Sequence, residues 1–316
     1  MRRIKFKDFA GVRIGGKVDI GSNNSPYHID RAEWITAMVE SSGKFGTVIS
    51  YDGTGITAGL HQCVAVLPRH LNTQGSLWRL LNRVRAVANE TQEWQKLRAA
   101  LAHEGWTLGR DGKLRKTSGG KLVFGKEMRA VLTGDADGKM PSSGPGRKAA
   151  EKWAELFHEL FLHPSTFKVQ RNYGLEHFMK RNDRVKLRWS KSAPDLTIQE
   201  AVYGAKHFST MTDDDITPEL DLAMALFWSN TVNAPGAALK RLCRAYDKHG
   251  SKGVIALEGA AFARHLITRL GNTSFGRWDD DIPGGRYQRT RKWAMKVWPK
   301  HLFTTPNAVM PKDLPG

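Results

Sequence analysis

The sequence predicts a mainly α protein with helical lobes and a small β-hairpin region. Three observations lead there. Good helix formers dominate the longer segments whose apolar residues recur at helical spacing, strand-like alternation is scarce, and a hydrophobic content of 40% with ten Trp and thirteen Phe supports a large interior. A chain of 316 residues has room for one large domain or two lobes.

Residues 1–25 are basic, polar and Gly-rich, and read as an arm or a short hairpin. A helix is expected to begin near Asp30, which can cap it, with Glu33 completing a capping-box pattern three residues on. Trp34, Ile35, Met38 and Val39 share one helical face, Glu40 follows in the last turn, and Gly43 and Gly46 end the helix. Next comes a segment rich in Gly and β-branched residues, 45–60. Asp52-Gly53 is a hairpin-turn signal between Thr47-Val48-Ile49 and Ile56-Thr57. A helix is expected to resume over 60–66, and one amphipathic stretch covers 76–103. A second hairpin is expected over 105–125, with Trp106-Thr107-Leu108, a turn at Asp111-Gly112 and then Lys121-Leu122-Val123-Phe124, and 134–147 is the clearest loop or linker. Helices follow at about 147–162, 165–187, 197–209, 217–231, 234–249, 255–270 and 286–298. In the first of these Trp153, Leu156, Phe157 and Leu160 recur at core spacing.

Cys63 and Cys243 each sit in an apolar-periodic run and read as buried free thiols, with one long-range disulfide as the alternative. Neither a CxxC nor a zinc-spaced Cys/His cluster occurs, so neither metal nor cofactor is expected. Asp213-Asp214-Asp215 precedes Thr217-Pro218 and reads as helix-start chemistry; Asp279-Asp280-Asp281, beside Trp278, reads as an acidic loop or a sugar-hydroxyl site. No apolar run of signal-peptide or membrane-spanning length occurs.

The residues that suggest chemistry lie close together in the chain. Glu40 ends a helix beside an apolar face, where partial burial keeps a carboxyl protonated near neutral pH. Asp52 sits in a Gly-rich turn, where it stays ionised, and Thr57 follows five residues later. One protonated and one ionised carboxyl are what glycoside hydrolysis requires. Gly53, Gly55 and Gly59 leave room for a sugar to approach the backbone. Tyr51 packs either on a cleft wall or in the core, and His61 and Gln62 are either cleft polar groups or surface positions at a helix start.

Glu40 followed by Tyr51-Asp-Gly-Thr-Gly-Ile-Thr-Ala-Gly59 resembles the active-site segment of bacterial chitosanases, and is similar to that of phage lysozymes and endolysins. Both belong to one lysozyme-like superfamily. The resemblance implies an α+β lysozyme-like fold, with helical lobes and a β-hairpin region flanking an active-site cleft. It implies Glu40 as acid, Asp52 as base or stabiliser, and Thr57 holding the attacking water. Inversion then follows, with the carboxyl groups about 6.5–9.5 Å apart. Tyr51, Gly55, Gly59, His61 and Gln62 would line the substrate site. Residues 26–316 would form one catalytic domain behind the arm, any lobe boundary falling at 134–147. Gly59-Leu60-x-Gln62 is also similar to a motif of lytic transglycosylases, which cleave the same bond without water. The presence of both Asp52 and Thr57 favours hydrolysis.

Charge selects among substrates. The formal net charge is +18. A polycation such as chitosan is repelled, whereas peptidoglycan carries carboxylates. Residues 168–191 hold eight Lys/Arg against Glu176 and Asp183, and 286–300 hold six and no acid. These are candidate surfaces for the anionic wall or anionic lipid. The expectation is a monomeric bacteriolytic peptidoglycan hydrolase, made in the cytoplasm and reaching the wall by release, virion delivery or a dedicated secretion machine. The rival of another class is a basic nucleic-acid-binding protein.

Overall fold

The computed structural model describes residues 13–15, 18–20, 28–50, 54–67, 73–136 and 143–180, with single helical positions at 225, 228, 229, 232, 289, 290, 292, 293 and 296. Strands β1 (Arg13–Ile14) and β2 (Val18–Asp19) come first, then helix α1 (His28–Ser41). Four short strands follow: β3 (Lys44–Phe45), β4 (Val48–Ile49), β5 (Thr57–Ala58) and β6 (Cys63–Val64). Helices α2 (Ser76–Ala88) and α3 (Gln92–His103) precede the hairpin β7 (Trp106–Leu108) and β8 (Leu114–Lys116). Helices α4 (Gly125–Thr133), α5 (Gly144–Leu162) and α6 (Phe167–Gly174) complete the regular part, with a π-helical turn at Leu175–Lys180. Helices therefore dominate the described residues, as expected, with small antiparallel sheets beside them.

Two compact units share the chain. Unit 1 comprises Met1–Ile20 and Gly43–Gly174; unit 2 comprises Gly21–Ser42 and Leu175–Gly316. The chain thus changes unit at Gly21, Gly43 and Leu175 rather than in the 134–147 loop.

In unit 1, β1, β4, β5 and β6 form an antiparallel sheet in that order. Ile14 pairs with Val48, Ile49 with Thr57, and Ala58 with Cys63. A separate ribbon pairs Val18 with Phe45. Residues 13–14 and 18–19 are thus paired into the sheets. The helix expected over 60–66 is instead a turn followed by β6. Leu60-His-Gln-Cys-Val-Ala-Val66 is a short apolar run, and such a run packs as readily in a buried strand as in a helix.

The expected stretch 76–103 is two helices. The break is made by Thr91, whose hydroxyl accepts from the Trp94 amide at 3.2 Å and starts α3. The hairpin over 105–125 forms with its first strand and its turn, at 109–113, where expected, but the return strand is β8, with Leu114 opposite Leu108, whereas the expected return strand 121–124 contributes only the isolated bridge of Leu122 to Arg115. Helix α4 had no counterpart in the sequence reading. Helix α5 begins at Gly144 rather than 147, with Pro145 in its first turn.

The core of unit 1 is aromatic. Phe157 lies 6.3 Å from Trp78 edge-on, 6.4 Å from Trp153 and 6.2 Å from Phe161, all four buried. Truncating any one of them to Ala removes about 3–5 kcal/mol. Leu156, on the flank of the same stripe, is only half-buried. Trp78 also donates its indole N–H to the Ala65 carbonyl at 3.0 Å, tying α2 to the strand after β6. The Gln74 side chain bridges to the second hairpin: its amide nitrogen donates to Leu114 O and Val123 O, and its oxygen accepts from Leu114 N at 2.8 Å. Gly134 ends α4 with φ +72°, and a side chain there would collide with the backbone of Gly146 in α5.

In unit 2, α1 starts at His28, so Asp30 lies inside the first turn instead of capping it. The helix is buried on nearly every side, including Arg31, Glu33 and Thr36, instead of along one apolar stripe. Trp34 packs edge-on against Trp293 with centroids 5.6 Å apart, and Lys296 lies over the Trp293 ring at 3.9 Å. No helix among the described residues is long and apolar enough to cross a membrane.

Candidate active site

Glu40 occupies the last turn of α1, as its spacing predicts, and is half-buried. Its Oε1 accepts a hydrogen bond from Ser229 Oγ at 2.7 Å, and Ser229 has no exposed surface. One residue earlier, the Val39 carbonyl accepts a long bond of 3.4 Å from the Arg289 guanidinium. Helical residues near 229 and 289 therefore hold the end of α1 in unit 2. Sequence reasoning found the carboxylate and missed its hydroxyl partner, which lies 189 positions away.

The expected hairpin is present in unit 1 as β4 and β5. Thr57 lies on β5, is 5% exposed, and has its hydroxyl 2.7 Å from that of Thr54. Ahead of β5, Thr54 O accepts from Val66 N and Ile56 O from Ala65 N, at 2.9 and 2.7 Å. Tyr51, Asp52 and Gly53 lie outside the described residues. So do Cys243, the Asp213–Asp215 and Asp279–Asp281 triplets, and most of the helices expected beyond 187.

Gly55 and Gly59 have φ of +77° and +84°. A Cβ at Gly55 would lie 3.4 Å from Leu132 Cδ1 of α4, and one at Gly59 only 2.9 Å from Gln170 Oε1 of α6. Protein atoms thus occupy the space on the Cβ side of both glycines, which sequence reasoning left open for a sugar. Their identity is accounted for by the left-handed backbone and these contacts.

The residues after Gly59 form a turn, not a helix start, and are buried. The Leu60 amide donates to Gln170 Oε1 at 3.1 Å. Gln170 in turn donates to Phe161 O at 2.8 Å and to Thr166 Oγ1 at 3.1 Å, so every polar atom of this buried amide is used. His61 packs its ring directly on the backbone of Gly174, where any side chain would collide with it. Gln62 adopts φ +52°, uncommon for a residue with a side chain. Its amide nitrogen donates to Gly59 O at 2.8 Å and to Thr47 O at 3.4 Å. Its Oε1 is buried without a hydrogen-bond partner among the described residues. Of the residues singled out by sequence, the structure brings Gly59, Gln62 and Thr47 into one bonded turn at the base of the hairpin.

Cys63 on β6 is a buried free thiol, as expected, and burial pushes its pKa up to about 12. Among the described residues no group of three His, Cys, Asp or Glu side chains could hold a metal ion.

Helix α4 contributes a residue that sequence reasoning passed over. Gly125, Met128, Arg129, Leu132 and Thr133 form its buried stripe, and Arg129 is 7% exposed. The signal was available: Lys-Glu-Met-Arg-Ala-Val-Leu, residues 126–132, is helical with an arginine at an inward position. No family model, no curated protein and no solved structure matches this chain.

Proposed function

We propose that this chain is a lysozyme-like peptidoglycan hydrolase that cleaves β-1,4 bonds of the glycan strand. In this reading Glu40 protonates the departing glycosidic oxygen. A water, oriented by Thr57, attacks the anomeric carbon from the opposite face and gives its proton to Asp52, which inverts the configuration. What supports the reading is the order along the chain: a helix-end carboxyl, bonded by the Ser229 hydroxyl, is followed at once by an antiparallel Gly-rich hairpin. The net charge of +18 favours the anionic wall as substrate over chitosan.

The test is incubation of the purified protein with isolated peptidoglycan. Wild type releases new reducing ends, and Glu40→Gln and Asp52→Asn each lower the rate by about 10²–10⁴-fold. Full turnover by Glu40→Gln refutes the acid assignment. An anhydro sugar at the new end, with Asp52→Asn fully active, replaces hydrolysis by transglycosylation on Glu40 alone. No wall cleavage, together with DNA binding that falls steeply with salt, selects the nucleic-acid rival.

A further inference from the structure

We propose that Arg129 is an anion-binding residue that receives a carboxylate of the substrate. The proposal rests on the peptidoglycan reading for the identity of the ligand, but its physical basis lies in unit 1 alone. Arg129 sits on the buried stripe of α4 between two core contacts. Met128 touches the Trp78 indole through its sulfur at 3.2 Å, and Leu132 closes on Gly55 in the connection between β4 and β5. A residue at this place should be apolar. Instead it is a guanidinium, with five N–H donors and no acceptor.

The charge has no internal partner. Arg129 forms no side-chain hydrogen bond or ion pair among the described residues, and its Nε is sealed from solvent with nothing to donate to. Other arginines show the opposite pattern. Arg115 and Arg147 pair with Asp111 and Glu151 at 2.8 and 2.9 Å, although both arginines are more exposed than Arg129. The two terminal nitrogens of Arg129 are not sealed and keep a small opening to solvent, so the charge is largely withdrawn from water yet reachable by an anion, and charges so placed in folded proteins are generally paired. The missing counter-charge is most simply a ligand oxyanion.

Two features define its chemistry. The planar fork of a guanidinium matches a carboxylate in two parallel hydrogen bonds. Leu132, one turn along the same stripe, contacts Gly55, three residues after Asp52 in the chain. A carboxylate on the glycan or on its stem peptide would meet Arg129, whereas uncharged chitin-type oligomers offer nothing to it. Arg129 would then set a preference for acid-bearing strands.

The experiment compares soluble peptidoglycan oligomers carrying free carboxyl groups with the same oligomers reduced to alcohols. Binding is measured on Glu40→Gln protein so that no turnover interferes. Reduction is expected to weaken binding about tenfold to a hundredfold, the range of a charge-assisted hydrogen bond. Arg129→Met is expected to bind both oligomers equally at the weaker level. It should also melt at or above the wild-type temperature without ligand, because a near-isosteric apolar chain replaces an unpaired charge. A structural role predicts the reverse: Arg129→Met melts lower and keeps the preference, and that result overturns the proposal. Should Arg129→Met not fold, wild-type protein in 0.2 M acetate against 0.2 M chloride decides. A higher melting temperature in acetate, lost in Arg129→Lys, supports the site, and equal melting overturns it. Wall cleavage that depends on Glu40 while the preference survives in Arg129→Met sinks only this inference. A preference that depends on Arg129, without Glu40-dependent cleavage, sinks only the enzymatic reading.

Discussion

Replacing Gln170 tests whether its amide is what fastens α6 to the turn after β5. In Gln170→Leu the Leu60 N–H loses its acceptor, and the Phe161 carbonyl loses one of two donors, keeping Thr166 Oγ1 at 3.1 Å. An orphaned buried N–H costs about 1–3 kcal/mol and a lost neutral bond about 1 kcal/mol, so the total is about 2–4 kcal/mol. In a cooperative unit of about 150–250 residues that lowers the melting temperature by roughly 5–15 °C. Urea unfolding followed by fluorescence should show the midpoint falling with an unchanged slope. Gln170→Glu adds a control of sign. It keeps an oxygen facing Leu60 N but turns a second oxygen on the Phe161 carbonyl, so the ionised form is disfavoured in the folded state. The native protein then binds more protons than the unfolded chain. Stability is retained below about pH 4.3 and falls as pH rises above it. A Gln170→Leu protein within 0.5 kcal/mol of wild type, or a Gln170→Glu protein that gains stability with rising pH, would refute the reasoning.

Other expectations follow from the same packing. Gly174→Ala should destabilise by about 1–3 kcal/mol or more, because its methyl group meets the His61 ring; Gly15→Ala, which meets nothing, should be near neutral, both read from urea midpoints. Cys63 should resist thiol reagents in the folded protein and react on unfolding, as a timed labelling experiment would show. The folded thiol keeps its proton up to about pH 12 whereas the unfolded one loses it near 9, so stability should fall as pH rises through that window; Cys63→Ala should remove that component of the slope.

The local elements could be read from sequence where a turn signal and propensity agree. Asp52-Gly53 between Val48-Ile49 and Ile56-Thr57 led to a hairpin whose register puts Ile49 opposite Thr57. Gly43, with positive φ, closed α1 as expected together with the left-handed Ser42, whereas Gly46 follows β3 instead. Elements failed where two readings share one pattern. The run from Leu60 to Val66 is apolar without alternation, and only its burial beside β5 decides for a strand. Helix α4 was passed over although residues 126–132 are good helix formers, because it is only nine residues long and Arg129 stands in its apolar stripe. The candidate site was legible as far as local spacing reaches. Glu40 and Thr57 could be picked out, but Ser229, Gln170 and Gly174 act across more than a hundred residues, and no periodicity encodes such contacts.

The order of the chain gives the two units unequal histories during synthesis. Unit 1 is complete once Gly174 has been made, while α1, synthesised far earlier, must wait for Ser229 and Trp293. At translation speeds of about 5–20 residues per second, that delay lasts on the order of ten to fifty seconds. A helix whose every side is meant for burial spends that interval without its cover, and is a natural target for chaperones. Any product ending soon after α6 would retain a folded first unit yet leave Glu40 permanently without its anchor.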